Sequence, residues 1–317
     1  MSSANYLYTY ACHEDEESLC RLELTSLLGV SPLPGSPILR SDSLVDPSRS
    51  PFIRERIDPV CEGDSLEKLI RQASGIRLEE GRSFKVLFVK KNDLDAAGKI
   101  EFEEQRRLER EVGAVIRGRV DVRRPDRIFG LVPCEGRWYL GPYTDNQAIW
   151  LKHVKKPRDY SIALPARVAR AVTNIAVPRP EGVRAIDPCC GIGTVLVEAR
   201  SMGIDIAGSD INPLAVEGAR ENLAHFGLPG DADARAIEDI RENYDVAIVD
   251  LPYNHVTRLS GEAEWRILRE ARRIARRAVV ISHRNLEGEL ALAGFAIESR
   301  CEARKGASFV RHIAVCR

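Results

Sequence analysis

From residue 183 onward, short apolar, β-branched runs alternate with stretches of helical spacing. VRAIDPCCGIG (183–193) starts as a buried strand and breaks at Asp-Pro into a glycine loop, and TVLVEARSMG then has a helical period that closes at Gly203. IDIAGSD (204–210) predicts the next strand, NPLAVEGARENLAHFG the next helix and YDVAIVD (244–250) a further buried strand. GEAEWRILREARRIARR predicts an arginine-rich helix, AVVIS (278–282) another strand, and FAIESRCEARKGASFVRHIAVCR a terminal hairpin. Strands alternating with helices imply an α/β fold with a doubly wound, mostly parallel sheet, which binds ligands beyond the carboxyl ends of its strands.

The first half has a different rhythm. NYLYTYA followed by ESLCRLELTSLLG predicts a βα unit, and a Pro/Ser-rich loop (SPLPGSP, DPSRSP) comes next. FKVLFVKKN (84–92) predicts a strand, EFEEQRRLEREVGAVI a helix with Leu108, Val112 and Val115 on one face, and RIFGLVPCEGRWYLG two strands around a turn. This is the pattern of a small α+β module. The boundary between the halves falls near 150–160, where LKHVKKPRDY is basic and polar, and ALPARVARAVTNIA predicts a helix leading into the second half.

A chain of 317 residues has room for two domains, and 44% hydrophobic with 30% charged residues is ordinary globular composition. No run approaches the roughly 18 apolar residues of a membrane span, and MSSANYLYTYACHEDEE lacks the basic start and apolar stretch of a signal peptide, so a cytoplasmic protein without membrane partners is expected. The eight cysteines include no CxxC pair and no Cys/His array at zinc spacing, which predicts reduced thiols and no metal site. Lysine plus arginine equals aspartate plus glutamate at 47 each, so any hold on nucleic acid must come from local patches.

The candidate chemistry begins at AIDPCCGIGT. The strand delivers Asp187 to its tip, and Gly191 and Gly193 let the backbone turn tightly and approach a ligand. A dinucleotide fingerprint wants a third glycine where this chain has Leu196, and an acid at the strand end repels a pyrophosphate but welcomes the ammonium of a methionine moiety. These details favour S-adenosylmethionine over a nicotinamide dinucleotide. Asp210, at the end of the next strand, can accept both ribose hydroxyls of either cofactor. Asp239 can reach an adenine amino group, with Glu238 beside it as a rival, and Pro188, Thr194 and Ile211 complete the candidate cofactor set.

VAIVDLPYN (246–254) is an apolar strand that ends in an acid, Leu-Pro and an aromatic. The exocyclic amine of a nucleobase is a poor nucleophile, because its lone pair is delocalised into the ring. Asp250 can accept one of its N–H groups and the Leu251 carbonyl, fixed by Pro252, the other, which turns the lone pair toward a methyl donor. Tyr253 offers a flat face for a base taken out of its stack.

DPCCGIGT and DLPYN together resemble motifs I and IV of the class I S-adenosylmethionine-dependent amino-methyltransferases, in the order found in enzymes acting on guanine N2, adenine N6 and protein glutamine. The aspartate-led motif is more similar to the RNA guanine-N2 enzymes than to the NPPY of the others. EFEEQRRLEREVGAVIRGRVDVRRPDRIFGLVPCEGRWYLG is similar to the end of a THUMP domain, an RNA-binding module. SIALPARVARAVTNIA resembles the segment before motif I in the tRNA guanosine-10 N2-methyltransferase family. Asn254 stands where that family has glycine, and residues 1–80 match its ferredoxin-like N-terminal region only loosely.

The resemblance implies a Rossmann-like three-layer α/β/α catalytic domain at 151–317, a THUMP-like module at 81–150 and a ferredoxin-like region at 1–80. It implies that Asp187, Gly191 and Gly193 bind the methionine part, Asp210 the ribose and Asp239 the adenine, and that Asp250 and Tyr253 hold the target amine and its ring.

Phosphate contacts are expected from RGRVDVRRPDR, through Arg117, Arg119, Arg123 and Arg124, and from KHVKKPR, through Lys152, Lys155 and Lys156, because these cluster in or beside loops. REARRIARR (269–277) reads equally well as the solvated face of an outer helix. The expected function is methylation of a guanosine N2 in RNA, most readily tRNA and not DNA. Methylation of rRNA at guanine N2 or adenine N6, an RNA-binding protein without catalysis, and a nicotinamide oxidoreductase are the alternatives.

Overall fold

The computed structural model describes residues 6–32, 36, 38–89, 100–160, 163–252, 261–306 and 309–317. The chain divides into two compact units. The first comprises Met1–Ala11, Leu28–Ser48 and Phe52–Gln147, and the second Cys12–Leu27, Arg49–Pro51 and Ala148–Arg317. Helix α1 (Glu17–Leu28) thus lies almost wholly in the second unit and not with the strand before it. The reason is visible in its burial: Leu19 and Leu24 are fully buried, and Glu23 accepts hydrogen bonds from Asn174 Nδ2 (2.7 Å) and Ser50 Oγ (2.9 Å).

In the first unit β1 (Tyr6–Tyr10), β2 (Ile38–Ser41), β3 (Ile53–Ile57), β4 (Cys61–Gly63), β5 (Ser83–Phe88), β6 (Arg119–Val120), β7 (Arg127–Cys134) and β8 (Arg137–Asp145) build one sheet. Its order is β2-β1-β3-β8-β7-β5-β6, with β4 also on β8. β8 pairs with β3 as well as with β7, so residues 1–80 and 81–150 share a single sheet. The β7–β8 hairpin turns through Glu135 (φ 51°) and Gly136 (φ 73°), the paired positive φ values that a two-residue hairpin of native twist requires. Helices α2 (Leu66–Ala73) and α3 (Phe102–Val115) cover one face, and Leu69, Leu108 and Val112 meet Phe84, Phe129, Leu131 and Leu140 in the core. Val115 packs against this core from a partly buried position.

The second unit carries α4 (Ala166–Ala176), β9 (Arg184–Asp187), α5 (Thr194–Ser201), β10 (Asp205–Asp210), α6 (Pro213–His225), β11 (Ala232–Ala234), β12 (Tyr244–Asp250), α7 (Gly261–Ile274), β13 (Ala275–Ser282), α8 (Glu287–Leu292), β14 (Ile297–Lys305) and β15 (Phe309–Cys316). The sheet order is β11-β10-β9-β12-β13-β15-β14; the first five are mutually parallel, and β15 runs antiparallel to both its neighbours. Chain direction across the sheet reverses between β9 and β12, which is the switch point where such sheets open a ligand crevice. Leu268 and Ile274 of α7 and Leu290 of α8 pack on Val249, Ala278 and Val280.

β13 begins three residues before the predicted AVVIS. Ala275 pairs with Tyr244 and Arg277 with Val246, and the Arg277 guanidinium donates to the carbonyls of Ala176 (2.7 Å) and Ile175 (3.1 Å) at the end of α4. Ladder pairing and that cap outweigh the helical propensity of the IARR sequence. Arg273 in turn donates to the carbonyls of Ile240 and Ile237. Two of these arginines therefore serve the fold.

Candidate active site

Three neighbouring strands of the second unit, β10, β9 and β12, each end in an aspartate: Asp210, Asp187 and Asp250. Asp187 is 2% exposed and its Oδ1 accepts the Cys189 N–H at 3.2 Å. Burial raises its pKa well above the usual carboxylate value, and the charges of Asp250 and Asp210 push it further the same way. The crevice therefore holds crowded negative potential, which a bound cation would relieve.

Gly191 and Gly193 shape the loop between β9 and α5. Both have positive φ, 52° and 77°. A Cβ on Gly193 would lie 2.9 Å from Ala219 Cβ of α6, so only glycine fits there; a Cβ on Gly191 would meet nothing within 4 Å, which leaves its face open to a ligand. The Gly191 N–H donates to Asp210 Oδ2 at 2.9 Å, and Asp210 Oδ1 accepts the Asn212 N–H at 2.8 Å. Asn212, not Asp210, caps α6 through the Leu214 N–H.

The other candidate cofactor residues divide. Thr194, at the first turn of α5, is buried, and its Oγ1 finds no hydrogen-bond partner among the described residues, so a polar ligand group could serve as one. Ile211 leaves 77% of its surface exposed beside Asp210, an apolar platform fit for a flat ring. Pro188 is buried under the loop. Asp239 and Glu238 are both exposed, and it is Glu238 whose charge bears on the Cys189 thiol. That thiol is pushed well above its usual pKa by burial and by the surrounding acids, the reverse of what a reactive thiolate needs. Among the described residues no group of three or more His, Cys, Asp or Glu side chains is placed to hold a metal ion.

At the end of β12, Asp250 is partly open to solvent, yet the burial of its carboxyl lifts its pKa to about 7, against the lowering influence of Arg311. Leu251 is buried, and its N–H is fixed by the Ile281 carbonyl at 3.0 Å; Pro252 is exposed. Tyr253 and Asn254 lie outside the described residues.

The basic residues fall on separate units. Arg117, Arg119, Arg123 and Arg124 are exposed on the first unit, where Asp121 Oδ1 accepts the N–H groups of Arg123 and Arg124 and so folds the loop that presents them. On the second unit Lys152 and Lys155 are exposed, but the Lys156 side chain is 5% exposed and paired with Asp159 at 3.1 Å. Its neighbour Arg158 is held by Glu221 and, through its backbone, by Asn222, which also donates to the Ile192 carbonyl of the glycine loop. The KHVKKPR segment therefore braces the loop as well as offering charge. His153 is likewise turned inward, its Nδ1 2.8 Å from Glu198 Oε1, while Glu198 Oε2 accepts from Arg170.

Arg311 is the residue the sequence reading missed. It is 7% exposed on β15, in phase with the buried Ile313 and Val315. A charged residue in the inward phase of a strand was the available signal.

Residues 154–308 match the UPF0020 family model, described as an RMKL-like methyltransferase domain. The chain is 32% identical over 182 residues to the tRNA (guanine(10)-N2)-dimethyltransferase of Methanothermobacter thermautotrophicus, covering 53% of each. It is 28% identical over 145 residues to the bovine U6 snRNA (guanine-N(2))-methyltransferase THUMPD2, covering 41% of this chain and 28% of that one. The crystal structure of TrmN from Thermus thermophilus aligns over 99% of both chains at 19% identity, with a TM-score of 0.46. The chain spans about half the length of the archaeal relatives it matches.

Proposed function

We propose that residues 154–308, which match the UPF0020 methyltransferase model, transfer a methyl group from S-adenosylmethionine to the N2 amine of a guanosine in RNA, and that the RNA is a tRNA. The observation that carries this reading is the alignment of Asp210, Asp187 and Asp250 at the ends of adjacent strands around an open glycine loop. S-adenosylmethionine supplies the electrophilic methyl group. The negative crevice suits its positive charges and opposes a pyrophosphate, which argues against a nicotinamide cofactor.

Asp187 and the Gly191–Thr194 turn would hold the methionine part, Asp210 the ribose hydroxyls and Ile211 the adenine face, with Asp239 or the neighbouring Glu238 for the adenine edge. Asp250 accepts one N–H of the guanine amine, and the carbonyl of Leu251, a residue whose own N–H is held by β13, accepts the other. Methyl transfer forms the new C–N bond as the S–C bond breaks, and the surplus proton passes to Asp250 and on to solvent. Most of the acceleration would come from aligning the amine between these two acceptors.

The first unit is a THUMP-like RNA-docking module, with Arg117, Arg119, Arg123 and Arg124 on phosphates and Lys152 and Lys155 of the second unit assisting. The tRNA substrate is favoured over U6 snRNA because the relatives named for tRNA match over more of the chain. A cytoplasmic location goes with this reading, and no described helix is long and apolar enough to cross a membrane. The test is label transfer from tritiated S-adenosylmethionine to unmodified tRNA transcripts. Cofactor binding with no transfer to tRNA, snRNA or rRNA would instead make this an RNA-binding protein without catalysis.

A further inference from the structure

We infer that Arg311 reads the O6 and N7 acceptors of the target guanine and so restricts the reaction to that base. The inference rests on the proposed function. Arg311 lies on the face of the sheet that carries Asp250: Asp250 pairs with Ile281, Ile281 with Ile313, and Arg311 is two residues before Ile313 toward the carboxyl edge. Its positive charge bears on the Asp250 carboxyl, although among the described residues the two make no ion pair.

The guanidinium lies over the Phe309 ring, 4.7 Å from its centroid. Among the described residues it donates no hydrogen bond and joins no ion pair, although the residue is 93% buried. The guanidinium keeps only a narrow opening to solvent, and its donors are free to meet acceptors that a ligand brings. The acceptor must arrive beside Asp250, where the amine of the substrate base is held. Guanine brings two adjacent in-plane acceptors, O6 and N7, which match the fork of an arginine; adenine places an amino donor at the same edge and would leave two donors facing each other. The Phe309 ring beneath the flat guanidinium helps to hold the fork in place.

The test uses two transcripts of the same tRNA, one with guanosine and one with 7-deazaguanosine, which keeps the N2 amine and O6 but lacks the N7 acceptor. Single-turnover methylation at saturating enzyme reads the step after docking. The wild-type protein should methylate the 7-deazaguanosine transcript roughly tenfold more slowly. Arg311→Met should be slowed roughly 10- to 100-fold on the guanosine transcript and be indifferent to the 7-deaza change, while still binding S-adenosylmethionine in calorimetry. Equal wild-type rates on the two transcripts would overturn the inference, as would a further full loss when the 7-deaza transcript meets the variant. The wild-type comparison decides even if the methionine variant does not fold. Transfer to neither transcript would instead remove the functional reading itself.

Discussion

The Gly191 N–H and Asp210 Oδ2, 2.9 Å apart, tie the tip of the glycine loop to the end of the adjacent strand. The same carboxylate that is placed for a ribose therefore also sets the shape of the loop. Asp210→Ala should weaken S-adenosylmethionine binding about 10- to 100-fold, the worth of a hydrogen bond to a charged group plus some loosening of the loop. Isothermal titration checks this, and an unchanged dissociation constant would take Asp210 out of the cofactor site.

Asp250 gives a pH signature. Its carboxyl, lifted to about 7 by burial, must be ionised to accept the amine proton. Below that value kcat/KM should rise close to tenfold per pH unit and then level off above it. Asp250→Ala should abolish turnover with S-adenosylmethionine binding nearly intact, and loss of cofactor binding in that variant would mean its role has been misassigned.

The exposed arginines of the first unit make a third prediction. Replacing Arg117, Arg119, Arg123 and Arg124 together with Glu should weaken RNA binding strongly, flatten its salt dependence and leave cofactor affinity unchanged. Filter binding at several salt concentrations reads both effects. Unaltered RNA affinity would remove this docking surface.

A fourth concerns stability. Glu23 is fully buried, and burial raises its pKa to about 7 despite the donors from Asn174 and Ser50. A carboxyl raised in the folded state resists ionisation. Its contribution is therefore full below the ordinary carboxylate range and is lost as pH climbs through about 7. The wild-type protein should lose on the order of 3 kcal/mol from this source between pH 4 and pH 8, and Glu23→Gln should not. Denaturant unfolding of both proteins across that range is the measurement.

The parallel sheet and its acid-tipped strands were legible because buried strands announce themselves as β-branched runs, and because Asp187, Asp210 and Asp250 follow directly on such runs. Leu196 stands where a dinucleotide fingerprint has its third glycine. The room that a third glycine would give is supplied across the sheet by Gly208, where a Cβ would lie 2.4 Å from Leu196 Cδ1. What escaped the sequence depends on partners far away in the chain. Nothing local says that α1 packs with the second unit, that Lys156 turns inward while Lys155 does not, or that Arg311 ends on the sheet face that carries Asp250. Short edge strands such as β11, three residues long, carry too little pattern to be seen.

The central claim is that this site methylates guanosine N2. The direct measurement is digestion of tRNA labelled by this protein with tritiated S-adenosylmethionine, followed by mass identification of the labelled nucleoside. The account predicts N2-methylguanosine or its dimethyl form. Label in N6-methyladenosine, or in any nucleoside not modified at guanine N2, would contradict it.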